Sequence, residues 1–68
     1  MRPVSGKAFC RALERQGWTL RRVNGSHHVY EDRDGTIASV PVHANRDLRP
    51  GTQRGLMRQA DLTDAELA

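Results

Sequence analysis

The chain has 68 residues, a formal net charge of +3 and a hydrophobic content of 37%. A domain of this length buries only about 60% of the surface that its unfolded chain exposes, so one small core is expected. The single cysteine excludes an internal disulfide framework, and no apolar run approaches the roughly 20 residues that span a bilayer. The N-terminus also lacks the apolar core of a signal peptide. We therefore expect one domain, residues 1–68, with no membrane association, in a reducing, cytoplasmic setting.

Positive charge is concentrated in residues 1–60, which carry all eleven basic residues, while three of the eight acids follow at Asp61, Asp64 and Glu66. Ten of the eleven are arginines. The planar guanidinium group binds phosphate oxygens in pairs and stacks on bases. A nucleic-acid partner is favoured, although such charge also keeps a small domain in solution.

A helix is predicted over roughly residues 6 to 16. Ser5 is suited to cap its start, and Gly17 follows where a helix would stop. Cys10 falls inside this pattern, which favours a buried small hydrophobe over a reactive thiol. The apolar face repeats at helical spacing, through Phe9, Ala12, Leu13 and Gln16.

Three antiparallel strands joined by two hairpins are predicted next, with Trp18 and Leu20 facing the helices. Asn24-Gly25 predicts a type I′ turn, and Asp34-Gly35 repeats the signal. Pro41 lacks a backbone donor, which favours an edge strand or the end of a strand. The predicted strands cover residues 18–23, 26–32 and 36–42.

Pro50-Gly51-Thr52 opens a second predicted helix, in which Leu56, Met57 and Ala60 share a face. Asp61 closes this helix, and Thr63 to Glu66 match a capping box, so a frayed last turn is expected. The order α-β-β-β-α predicts an α+β two-layer sandwich with both helices on one face of the sheet. The other face of the sheet is then the working surface.

Two histidines follow the first turn, in the run Gly25-Ser26-His27-His28. Imidazole, with an ordinary pKa of about 6.5, both takes and gives protons near neutral pH. Successive strand residues point to opposite faces, so the two rings are not expected to share one substrate atom or one metal ion. Alternation also places only one of Arg21 and Arg22 on the face of His27. His28 alternates with Tyr30, which favours a packed position.

Four short runs and a final basic helix follow one another along nearly the whole chain. The runs are Gly17-Trp18, Gly25 to Tyr30, Val40-Pro41-Val42-His43 and Asp47 to Thr52. In this order they resemble the HicA family of toxins, small ribonucleases of bacterial toxin–antitoxin pairs that cleave messenger RNA and adopt a double-stranded-RNA-binding-domain-like fold. Two positions depart from the family pattern: Gln53 stands where an apolar residue is usual, and Asp61 where a glycine is common. Both bear on packing or capping.

This resemblance implies that His27 is catalytic. RNA carries its own nucleophile, the 2′-hydroxyl, so a general base or acid and nearby cations suffice for cleavage to a 2′,3′-cyclic phosphate. No cofactor is expected, and no zinc site, since the three histidines and Cys10 show no ligand spacing. His43 is an RNA contact or an ordinary strand-end residue, the latter being favoured. The candidate RNA contacts are Arg21, Arg22, Ser26, His28, Arg54 and Arg58.

The resemblance further implies a protein antitoxin of the HicB type that covers the histidine face, with the toxin a monomer alone and a hetero-oligomer in the complex. Two other functions remain open at this point. One is a non-catalytic RNA-binding module of the same fold. The other is a protein-interaction domain that uses an exposed strand edge.

Overall fold

The computed structural model describes residues 1–68. A three-stranded antiparallel sheet in the order β1-β2-β3 carries helices on one face, so the predicted α+β two-layer architecture is confirmed. The elements are α1 (Gly6–Arg15), β1 (Thr19–Asn24), β2 (His27–Glu31), β3 (Ile37–Pro41), α2 (Pro50–Ala60) and α3 (Asp64–Leu67).

Helix α1 begins and ends where its sequence predicts. The Ser5 side chain accepts a hydrogen bond from the Ala8 amide at 3.1 Å, which satisfies one of the free donors of the first turn. Gly17 follows the helix with φ 93°, a conformation that costs glycine little. Phe9 and Leu13 are fully buried, and Cys10 is buried as expected.

The two faces of the sheet differ in what covers them. Tyr30, Ala38 and Val40 point toward the helices and belong to the main core. The alternate residues, which include Val29 and its neighbour across the strand, Ser39, form the other face, on which no helix packs. We call this second surface the open face; it contains His27, Val29 and Glu31 of β2 and Ser39 and Pro41 of β3.

The first hairpin turn is shifted by one residue from its prediction. Asn24 pairs with His27, so the two central residues are Gly25 and Ser26 rather than Asn24 and Gly25. Gly25 alone has a positive φ, 63°, which fits a type II′ turn with glycine first and not type I′.

In the second hairpin Gly35 has a positive φ, 85°, but Asp34 does not, so the predicted type I′ turn is wrong here too. Five residues, 32–36, join β2 to β3, and the Asp32 carboxylate accepts hydrogen bonds from the amides of Asp34 and Thr36.

The start of β1 also departs in part from expectation. Trp18 precedes the strand and is buried in the core. Leu20 lies on the helix side, opposite Tyr30, but remains 41% exposed because β1 is the edge strand farthest from α2. Pro41 ends β3, the other edge strand, in agreement with its missing donor.

Gln53 is a buried polar residue with a structural role. Its side chain is 0% exposed; its Nε2 donates to the Arg2 carbonyl at 2.6 Å and its Oε1 accepts from the Val4 amide at 3.2 Å. The departure from an apolar residue is therefore compensated by two hydrogen bonds. They hold the N-terminal segment against α2 and so support burial of Val4.

The C-terminal turn is packed rather than frayed. Leu62 and Leu67 are buried in the core, and the Arg15 guanidinium donates to the Glu66 carbonyl at 3.2 Å. Thr63 and Glu66 form the predicted capping box. Asp61 caps α2 in the left-handed conformation, φ 56°, where glycine is favoured.

Candidate functional site

His27 lies on the open face at one end of the central strand. It pairs with Asn24 on one side and with Pro41 on the other, so its backbone is fixed by both neighbouring strands. The Val42 amide donates to the Ser26 carbonyl at 2.7 Å and extends the β2–β3 pairing past the end of β3. The His27 side chain is exposed, so a substrate has access to its imidazole.

His28 lies on the other side of the sheet. It pairs with Val23 and Val40, is half-buried, and shares the helix-covered side with Tyr30. The two adjacent rings are therefore separated by the sheet, as strand alternation predicts. A ligand on the open face that meets His27 does not meet His28.

Arg21 and Arg22 share the open face, contrary to the expectation that only one of them does. The β1–β2 register shifts between Leu20 and Arg22, which leaves Arg21 as an extra residue in a β-bulge. Arg22 pairs with Val29, and the Nε of Arg21 contacts Glu31 at 2.9 Å, so both lie beside open-face residues. Strict alternation failed here because the extra residue of a β-bulge reverses the side of the sheet on which the preceding residues lie, relative to the residues that follow.

The two arginines differ in how freely they can bind an anion. Arg21 is paired with Glu31, at the end of β2 farthest from His27. The Arg22 side chain makes no ion pair or hydrogen bond. Arg22 lies opposite Val29, which is two residues from His27 on β2 and so about 7 Å from it along the strand. Of the two, Arg22 is better placed to bind phosphate near the imidazole.

A concave pocket of about 380 Å³ opens where β3 ends and α2 begins, and it is the only pocket in the structure. Pro41, which pairs with His27, forms part of its wall, whereas His27 itself does not line it. The other lining residues are His43, Arg46, Asp47, Leu48, Arg49 and Thr52. We call this concavity the basic pocket.

Sequence reasoning did not include Arg46 or Arg49 among the candidate RNA contacts. The available signal was the spacing of His43, Arg46 and Arg49, which places three basic side chains at intervals of three residues before Pro50. The turn itself folds them together, because the Arg46 amide donates to the His43 carbonyl at 3.0 Å.

The first turn of α2 borders the same pocket through Thr52. Arg49, at the N-cap, makes no capping hydrogen bond with its side chain, and the amides of Gly51 and Thr52 have no acceptor. Free amides at a helix N-terminus carry partial positive charge. They add to the charge of the arginines in the pocket wall.

The remaining candidates lie at different distances from this site. Arg54 and Arg58 are exposed on α2, whose C-terminal end is anchored by Gln59 Nε2 donating to the Ile37 carbonyl at 2.6 Å. Since Ile37 begins β3, α2 runs back along that strand, and Arg58 lies about 6 Å farther from the pocket than Arg54. Ser26 is half-buried; its carbonyl is bonded to Val42, whereas its hydroxyl makes no hydrogen bond.

The groups with displaced pKa values lie under the sheet rather than on the open face. Burial, together with the 2.6 Å hydrogen bond that the Tyr30 hydroxyl donates to Glu14 Oε2, raises the pKa of Tyr30 far above its usual value. Burial also raises the pKa of the Cys10 thiol. Both groups are neutral at physiological pH and serve the core. Nowhere in the structure do three His, Cys, Asp or Glu side chains converge as a metal-binding group.

Fold and site together define a small basic α+β domain with an accessible histidine on an open sheet face. A family model described as HicA toxin of bacterial toxin-antitoxin matches residues 6–62, and the chain belongs to that family. Its role is thus that of a toxin with an antitoxin as protein partner. No curated protein matches the chain. None of its helices combines the length and apolar character needed to cross a membrane.

Proposed function

We propose that this chain is a metal-independent endoribonuclease that cleaves messenger RNA in the cytoplasm, with His27 as a general acid or base. The observation that carries the proposal is the position of His27, which is exposed on the open face. Arg22 pairs with Val29, two residues from His27, and Pro41, the β3 partner of His27, belongs to the wall of the basic pocket. A proton-transfer group flanked by cations suits a phosphodiester that supplies its own nucleophile.

In this reaction His27 takes the proton of the 2′-hydroxyl or gives a proton to the 5′-oxygen that leaves. Arg22 and the arginines of the basic pocket stabilise the charge that builds on the phosphate oxygens. Cleavage leaves a 2′,3′-cyclic phosphate and a 5′-hydroxyl. An antitoxin of the HicB type inhibits the toxin by covering the open face, which blocks access to His27.

The test is cleavage of a labelled single-stranded RNA in excess EDTA by the wild-type chain, His27→Ala and the control Arg33→Ala. Arg33 is exposed in the second hairpin loop, at the opposite end of β2 from His27. We expect His27→Ala to slow cleavage by about 10²- to 10⁴-fold while RNA binding persists. The wild type and the control should both produce cyclic phosphate ends.

Three results contradict the proposal. Equal cleavage by wild type and His27→Ala would remove the role of His27. A 3′-phosphate or 5′-phosphate formed directly, without a cyclic intermediate, would indicate attack by water instead of the 2′-hydroxyl. RNA binding without cleavage by the wild type would identify a binding module, which the exposed arginines of the open face also support.

A further inference from the structure

Transesterification of RNA requires two proton transfers, one from the 2′-hydroxyl and one to the 5′-oxygen. His27 accounts for one of them. Of the other two histidines, His28 lies on the covered side of the sheet, whereas His43 is exposed and lines the basic pocket together with Pro41. Imidazole is suited to proton transfer near neutral pH. The position of His43 relative to His27 therefore decides whether one phosphate can meet both rings.

The strand register places the two histidines diagonally. His27 pairs with Pro41, and the hydrogen bond from Val42 to the Ser26 carbonyl continues this pairing by one residue. Val42 packs against the core, and His43 follows it as an exposed residue two positions past Pro41, the last residue of β3. A residue two positions from the direct partner is a diagonal neighbour in an antiparallel pair, at about 7–8 Å. This places the two histidines near enough for one phosphodiester to lie between them.

The pocket wall next to His43 is positively charged and not neutralised internally. Arg46 and Arg49 make no side-chain hydrogen bond and no ion pair. Asp47 is the one carboxylate in the wall, so the two arginines leave a net charge of +1 when His43 is neutral. A volume of about 380 Å³ lies in the range of small-ligand pockets.

The turn that builds this wall is strained. Ala44 has φ 51°, a left-handed conformation that is unfavourable for a residue with a Cβ. Strain of this kind persists where the surrounding structure holds it, and it is common at functional sites. Here the strained turn folds Arg46 back toward His43.

We propose that the basic pocket binds the scissile phosphate of RNA and that His43 is the second proton-transfer group; this inference rests on the proposed ribonuclease function. One histidine takes the 2′-hydroxyl proton, and the freed oxygen pair forms a bond to phosphorus. The bond from phosphorus to the 5′-oxygen breaks with its electron pair moving to that oxygen, which takes a proton from the other histidine. The products are a 2′,3′-cyclic phosphate and a 5′-hydroxyl, with no further reactant.

The test compares wild type, His43→Ala, His43→Gln and the control Asn45→Ala in the EDTA cleavage assay, over a range of pH. Asn45 is exposed in the same turn and does not line the pocket. Both His43 variants should lower kcat by about 10²-fold or more with little change in KM. The pH dependence of kcat/KM should be bell-shaped for wild type and lose one limb in both variants. Thermal unfolding of each protein verifies that it is folded.

Phosphate binding is measured separately by titrating inorganic phosphate into the wild type, Arg46→Gln/Arg49→Gln and the control Arg11→Gln/Arg33→Gln, with amide chemical shifts as the readout. Arg11 and Arg33 are exposed and do not line the pocket. We expect shifts at Arg49 and Thr52 that are lost only in the first double variant. If His27→Ala loses cleavage but His43→Ala cleaves RNA at the wild-type rate and with the wild-type pH profile, only the role of His43 is overturned. Absence of phosphate-induced shifts in the pocket overturns the subsite. Failure of the wild type to cleave RNA overturns the proposed function and the role of His43 with it.

Discussion

The two faces of one small sheet are built for different purposes, and adjacent residues are divided between them. His27 is exposed beside arginines, whereas His28, the next residue, is half-buried on the side that the helices cover. On β3, Ser39 is exposed and Val40 is fully buried. A chain of 68 residues has one small core, and it lies on the covered face, whereas Val29 is the one buried residue of the open face.

The largest expected difference between the two faces is in stability, and two neighbouring substitutions, one on each face, measure it. Val40→Ala removes buried methyl groups and should lower the free energy of unfolding by about 1.5–3 kcal/mol. Ser39→Ala, on the open face, should change it by less than about 0.5 kcal/mol. Urea unfolding of both variants provides the measurement. Equal destabilisation by the two would show that the open face is also part of the core.

The covered face should also determine the response of stability to alkaline pH. The pKa of Tyr30 is raised in the folded state by burial and by its bond to Glu14, so the folded chain keeps a proton that the unfolded chain loses above about pH 10. Stability is then complete below that pH and falls as pH rises, by about 1.4 kcal/mol per unit. Tyr30→Phe should reduce this slope in urea unfolding between pH 9 and 11. An unchanged slope would assign the pH response to other groups, of which Cys10 is the first to examine with Cys10→Ala.

The open face should determine how RNA binding depends on salt. Arg22 has no acidic partner, whereas Arg21 is held by Glu31. The logarithm of RNA affinity falls linearly with the logarithm of salt concentration, and Arg22→Gln should make this slope shallower by about 0.7, the value for one phosphate contact on a single strand. Arg21→Gln should make the slope less shallow than Arg22→Gln does, and Arg33→Gln should leave it unchanged. Binding by the His27→Ala chain avoids cleavage during the titration. Equal slopes for the Arg22 and Arg33 variants would remove Arg22 from the RNA contacts.

Local patterns in the sequence predicted most of the fold. The Ser5 cap, the Gly17 stop, the Pro50 start and the alternation of His27 with His28 each depend on residues close together in the chain. The bulge at Arg21 was missed because it follows from how β1 fits against β2 over its whole length. The burial of Gln53 was missed because its partner Val4 is 49 residues away. All the residues that line the basic pocket lie within residues 41–52, but the concavity depends on how the turn folds the end of β3 against the start of α2, which the sequence pattern does not show.

The smallest expected effect is a change in stability at the edge of the covered face, where α2 ends. Asp61 holds the left-handed conformation that glycine adopts without a steric cost, and its neighbour Leu62 continues into the core. Asp61→Gly should raise the free energy of unfolding by about 0.5–1 kcal/mol and the Tm by several degrees, since about 1 kcal/mol shifts a domain of this size by about 4–8 °C. Asp61→Ala is the control, because it removes the charge but keeps the Cβ. If Asp61→Ala stabilises the chain as much as glycine does, charge and not backbone conformation is the cost at this position. If neither variant raises the Tm, the side chain of Asp61 already offsets the strain of its backbone.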